Sequence, residues 1–113
     1  MSELDRLVEK YAADLKEKCG VDADVALLTK VAKGCGPSIY KEDSSTVSSS
    51  DQAELDRVKA NFLVKKLGLP DSADLDAAID ATIEKYGRSN RNKHRVSFYY
   101  LLVKHFGKEA VYA

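Results

Sequence analysis

Tryptophan is absent from the 113 residues; phenylalanine occurs three times, methionine once, and cysteine and proline twice each. A core must therefore come mainly from Leu, Val, Ile and Tyr. Two cysteines are too few for a disulfide scaffold. No apolar run approaches the ~18 residues that a membrane-spanning helix needs. The opening Met1-Ser2-Glu3-Leu4-Asp5 is acidic where a secretory leader is basic and then apolar, so no leader is expected. Charge of neither sign is in excess, with 18 Lys and Arg against 18 Asp and Glu. That balance argues against a general nucleic-acid coat or a membrane-surface binder, whose affinity comes from surplus positive charge. What is present, 44% hydrophobic and 32% charged residues, is the composition of an ordinary globular domain. The length suits one domain, residues 1–113, and the expected compartment is the cytoplasm.

Glycine punctuates the chain. Gly20, Gly34, Gly36, Gly68, Gly87 and Gly107 all fall at or just past an apolar pattern of helical period, where a left-handed C-cap needs a residue without Cβ. Leu4, Leu7, Val8, Tyr11, Leu15 and Cys19 recur at steps of three and four and predict a first helix from about Ser2 to Cys19. A second, shorter helix is expected after Asp22 or Asp24, turning Val25, Leu28 and Val31 inward before Gly34. Helical patterning then stops. The serine-rich stretch over residues 41–50 reads as a long, exposed, mobile loop, with Ile39 and Tyr40 pinning its start.

Asp51 and Glu54 stand at capping-box spacing and open a third helix. It carries Leu55, Val58, Phe62 and Leu63 or Leu67 inward and closes at Gly68-Leu69-Pro70. Asp71 or Ser72 caps a fourth, which buries Leu75, Ala78, Ile79, Ile83 and Tyr86. A fifth is expected from Ser89 or Asn90 to Phe106. No stretch alternates with period two for the length of a strand. The fold class is all-α: a compact five-helix domain with the C-terminal helix central and a long Ser-rich loop between helices two and three.

The fifth helix is the most informative. At 100° steps Val96, Tyr99, Tyr100, Val103 and Phe106 share a stripe about 120° wide. Phe98, Leu101 and Leu102 lie opposite, with His94 and His105 in their sector and a narrow polar edge of Lys93, Ser97 and Lys104. A helix apolar nearly all round is buried on both sides. It is either the central helix of the domain or, if Phe98, Leu101, Leu102 and His105 are not core, one whose second face meets another subunit.

Charge is unevenly placed. Five acids and no base lie from Asp71 to Glu84, then seven bases and no acid from Lys85 to Lys108. Arg88, Ser89, Asn90, Arg91, Lys93 and Arg95 cluster at the expected start of the fifth helix, where N–H groups and the dipole already favour anions. These residues form a candidate anion-binding site. The competing reading makes them the electrostatic complement of the acidic fourth helix, with Asn90 a simple cap.

Patterns that carry catalysis are missing. His94 and His105 stand about 16 Å apart along one helix and cannot share a metal. Cys19 and Cys35 lack a second pair for zinc; they read as two thiols, or as a redox pair if the first hairpin brings them together. Gly34-x-Gly36-Pro37-Ser38 lacks the Gly-Lys-Ser/Thr ending of a P-loop. No catalytic residue, metal or cofactor is expected.

Four runs carry a family resemblance: Gly34-Cys35-Gly36-Pro37-Ser38-Ile39-Tyr40, Asn61-Phe62-Leu63-Val64-Lys65-Lys66-Leu67-Gly68-Leu69, Ser89-Asn90-Arg91-Asn92-Lys93 and Tyr99-Tyr100-Leu101-Leu102-Val103-Lys104-His105-Phe106-Gly107. Through them the whole chain resembles a group of small bacterial proteins catalogued as a domain of unknown function. The resemblance implies a single helical domain of bacterial, cytoplasmic origin and transfers no site. Two functions stay open: a non-enzymatic interaction module, meeting a protein partner or a second copy of itself, and an anion or nucleic-acid binder using the basic run. Neither involves a membrane.

Overall fold

Helix α1 (Glu3–Cys19) begins with Glu3 and Asp5 at the positive end of its dipole and finishes with Lys16 and Lys18 at the other. Val8, Tyr11 and Leu15 are its buried stripe. The chain leaves through Gly20 at φ 65°, donating from Gly20 N to Lys16 O at 3.1 Å and from Val21 N to Leu15 O at 3.2 Å. The left-handed glycine thus turns the chain back so that two amides satisfy carbonyls of the last turns. The computed structural model describes residues 3–41, 45–48, 50–87 and 93–112.

Helix α2 (Val25–Cys35) is capped by Asp24, whose carboxylate accepts from Ala26 N at 3.1 Å and Leu27 N at 3.3 Å. It buries Leu27, Leu28, Val31 and Ala32. Val25, expected inward, is 56% exposed because it starts the helix on the outer side. Gly34 is not a terminus. It lies inside α2, which runs one residue further and turns at Gly36. Gly36–Tyr40 then forms a 3-10 turn.

Helix α3 (Gln52–Arg57) is capped by Asp51, which accepts from Ala53 N and Glu54 N. The expected continuous α-helix changes register at Val58: residues Val58–Val64 are π-helical. The wider turn shows in bonds from Lys65 N to Ala60 O (3.2 Å) and Leu67 N to Phe62 O (2.9 Å). Val58, Phe62, Leu63 and Leu67 are buried as the apolar pattern required. Helix α4 (Ala73–Tyr86) buries Leu75, Ala78, Ile79, Ile83 and Tyr86, and also Thr82, whose hydroxyl donates to Ala78 O.

Helix α5 (Arg95–Phe106) packs against α1, α2 and α4. Val96, Phe98, Tyr100, Leu101, Leu102 and Val103 are all buried. The central-helix reading therefore holds, and Phe98, Leu101 and Leu102 are core rather than a subunit interface. The polar edge is corrected too: Lys104 is exposed, but Ser97 and Lys93 are fully buried.

The fifth helix was expected to begin at Ser89 or Asn90; it begins at Arg95. The reason is a short antiparallel pairing that holds the preceding backbone extended. Val47 N donates to Lys93 O and Arg95 N donates to Ser45 O, each at 2.8 Å, around a bridge between Thr46 and His94. His94 keeps ψ at 133°, outside the helical range, so the helix cannot form earlier. The same pairing corrects the expectation of an exposed Ser-rich loop. Val47 is 2% exposed and belongs to the core; of the two residues expected to pin the start of the loop, Ile39 is buried at 4% and Tyr40 is 53% exposed. Residues 42–44 and 49 of that expected loop lie outside the described residues.

The described residues form five helices, and no helix among them is long and apolar enough to cross a membrane.

Candidate functional site

The end of α2, the π-helical stretch, α5 and the C-terminal 3-10 turn (Glu109–Tyr112) surround a cleft of about 440 Å³. That volume lies within the range of small-molecule sites.

Its floor is aromatic. Phe62 from the π-helical stretch and Tyr99 from α5 stack face to face, with centroids 3.9 Å apart and planes 13° from parallel. Tyr112 forms one wall. Its ring edge packs against Gly34: a Cβ added there would sit 3.5 Å from Tyr112 Cε1. The glycine that departs from the terminal rule thus gives the ring room to lie close to α2. Lys66 covers the ring from the other side, its Nζ 5.0 Å from the centroid.

Arg95 is held at the base. Its Nη2 meets Glu54 Oε1 at 2.6 Å and Thr46 O at 3.4 Å, while Nη1 donates to the Tyr99 hydroxyl at 3.0 Å. Glu54 also accepts from Arg57 Nη2 at 2.8 Å. Burial alone would push the Glu54 carboxyl up, but hydrogen bonds from Arg57 and Arg95 hold it below its ordinary value. For Arg95 burial disfavours the charge, yet Tyr99 and Glu54 more than offset this. The guanidinium therefore ties α5, α3 and the Thr46 segment together and fixes the orientation of Tyr99.

The Cys35 thiol and the Tyr99 and Tyr112 hydroxyls stay protonated near neutrality. Burial pushes the Cys35 thiol up to about 11, against the pull of the Arg95 charge. Tyr99 and Tyr112 are also raised, in both cases first by burial. The cleft offers hydrophobic faces, hydrogen-bond donors and the Lys66 ammonium, with the Asn61 amide at its rim.

The candidate anion site is not assembled among the described residues. Arg88, Ser89, Asn90 and Arg91 lie outside them. Lys93 is fully buried and precedes the helix rather than projecting from its first turn. Arg95 alone reaches the cleft, where it pairs with Glu54 of α3 rather than with acids of α4. Of the residues proposed for a subunit interface, only His105 is exposed. It borders a second cleft of about 320 Å³ with Thr82, Lys85 and Lys104. His94 is half-buried against Tyr11, their rings 5.3 Å apart.

Neither cysteine is in a disulfide. Cys19 is the last residue of α1 and Cys35 the last of α2. Among the described residues no three His, Cys, Asp or Glu side chains converge as metal ligands.

Of the residues named for the candidate anion site only Arg95 lines the cleft, together with Cys35 and Gly34, which the sequence offered as a thiol and as part of a glycine turn. The lining residues come from four separate segments and form no contiguous motif. Gly34, Cys35, Asn61, Phe62, Lys66 and Tyr99 do fall within the runs that carry the family resemblance, which was the available signal.

The model of the family described as a protein of unknown function, DUF2853, matches residues 10–110, and the chain belongs to that family. A comparison with curated proteins finds none that matches.

Proposed function

We propose that this DUF2853 domain is a non-enzymatic binding module that takes a small ligand into the cleft between α2, the π-helical stretch, α5 and the C-terminal turn. The observation that carries the reading is the convergence of the stacked Phe62–Tyr99 pair, the Tyr112 wall and the Lys66 ammonium on one concavity of about 440 Å³. Apolar walls with a few placed polar groups are what a binding pocket requires. Two further points support binding over catalysis. The ionisable groups Cys35, Tyr99 and Tyr112 are shifted away from neutrality, whereas a general base works best with its pKa near the operating pH. Arg95 is engaged in holding the floor.

This keeps the non-enzymatic part of the sequence-based expectation but replaces the protein partner or second copy by a small ligand, because the second face of α5 is core. Exposed large apolar residues (Val25, Tyr40 and Val111) are scattered along the chain rather than drawn from one helix face.

The test is a screen of chemically varied small fragments by amide chemical shifts on the isotopically labelled domain. Shifts concentrated at Gly34, Asn61, Phe62, Tyr99 and Tyr112, and lost in Tyr112→Ala, support the reading. A collection that leaves those amides unmoved removes it.

A further inference from the structure

The cleft is chemically lopsided, and its asymmetry selects among ligands. One side is the last turn of α2, where Gly34 and Cys35 line the cavity and the carbonyl end of the helix dipole carries partial negative charge. Lys66 and Asn61 are supplied by the π-helical stretch and the turn that follows it. Between them the stacked Phe62–Tyr99 pair lines the cavity.

The two cations of the cleft have different duties. Arg95 is ion-paired with Glu54 at 2.6 Å and bonded to Tyr99. Lys66 makes no ion pair among the described residues and instead rests over the Tyr112 ring, 5.0 Å from its centroid. The ring positions the ammonium without neutralising it. A bound anion would therefore meet its complement at Lys66.

From this we infer that the ligand is an aromatic monocarboxylate. Its ring lies on the Phe62–Tyr99 floor against Tyr112, and its carboxylate is held by the Lys66 ammonium and the Asn61 amide. The inference rests on the binding reading above and narrows it. Flat apolar area belongs on the floor because offset ring stacking adds to simple burial. A single negative charge belongs at the Lys66 side, since the carbonyl end of α2 opposes a second. A phosphate dianion draws on converging backbone donors at a helix N-terminus, and the lining residue at such an end, Arg95 at the start of α5, has its amide bonded to Ser45 O and its guanidinium to Glu54. A cationic ligand is opposed by the Lys66 ammonium.

The experiment compares 2-naphthoate, 2-naphthamide and 2-naphthylmethylamine, which share a ring and differ in charge, by calorimetry and by cleft amide shifts. The wild-type domain is expected to bind naphthoate about tenfold more tightly than naphthamide, and the amine most weakly. Lys66→Gln, at an exposed position, is expected to bring naphthoate down to the level of naphthamide while leaving naphthamide unchanged. Equal binding of acid and amide, or naphthoate affinity indifferent to Lys66→Gln, overturns the carboxylate assignment while the cleft still binds. If the fragment screen finds cleft ligands but none of the three naphthyl probes is among them, the aromatic-acid inference fails and the binding reading stands. If neither screen nor probes move the cleft amides, both fail.

Discussion

Arg95 and Glu54 meet at 2.6 Å where the first turn of α5 crosses α3, with side chains only 17% and 13% exposed. The same carboxylate receives Arg57, so one acid is shared by two guanidinium groups from different helices. Little water reaches the pair, and its geometry sets both the approach of α5 and the position of the Tyr99 ring.

Glu54→Gln is therefore expected to lower stability by about 1–2 kcal/mol at neutral pH, more than a surface ion pair and less than a fully enclosed one. The pH dependence has a definite sign. The folded carboxyl sits below its ordinary value of about 4.3, so below that point the unfolded chain binds more protons. The contribution is fully present above that ordinary value and is lost as pH falls through the folded one. Urea unfolding of both proteins between about pH 7 and pH 3 checks this. The wild-type advantage should shrink with acid; a difference that stays constant would mean that the carboxylate charge is not its source.

Cys35 is expected to be a poor nucleophile in the native domain. Its thiol, raised to about 11 from 9.0, has about a hundredfold less thiolate near neutrality than an ordinary cysteine. Alkylation with iodoacetamide followed by mass spectrometry should label Cys35 slowly in buffer and rapidly in urea. Equal rates in the two conditions would contradict its burial.

The five helices and most of the core were legible because helical periodicity records burial directly: Leu75, Ala78, Ile79 and Ile83, for instance, were placed by spacing alone. Boundaries fared worse where a long-range contact overrode local preference. The start of α5 depends on Ser45–Val47 pairing with residues almost fifty positions away, and no local signal carries that. The π-helical register of Val58–Val64 is likewise invisible, since its apolar residues also fit an α-helix. The site was less legible still. Tyr99 reads as another core aromatic, and Tyr112 as a tail residue, until the fold sets both beside Gly34 and Phe62.

The Ser45–Val47 segment works as a strap across the start of α5, and hydrogen exchange should reveal it. The amides of Val47 and Arg95, both in 2.8 Å bonds, are expected to exchange far more slowly than that of exposed Ser48. Val47→Ala should cost about 1–2 kcal/mol through loss of buried methyl groups and should speed exchange at Arg95. Fast exchange at both amides in the wild-type protein would show that the strap is not closed in solution.

Gly34 and Gly107 are expected to respond to alanine with opposite signs. Gly107 ends α5 at φ 64°, a left-handed conformation in which a side chain is strained, so Gly107→Ala should destabilise by about 1 kcal/mol. Gly34 is in the body of α2, where alanine improves helix propensity by up to about 1 kcal/mol. The new methyl would meet Tyr112 Cε1 at 3.5 Å, an ordinary contact, so the gain should survive. Thermal melts of the two variants are expected to move in opposite directions from wild type. Loss of stability in Gly34→Ala would mean that Tyr112 lies closer to α2 than an added methyl allows. Because the same methyl would stand on the cleft wall, weaker naphthoate binding in a stabilised Gly34→Ala would place the ligand ring against that wall.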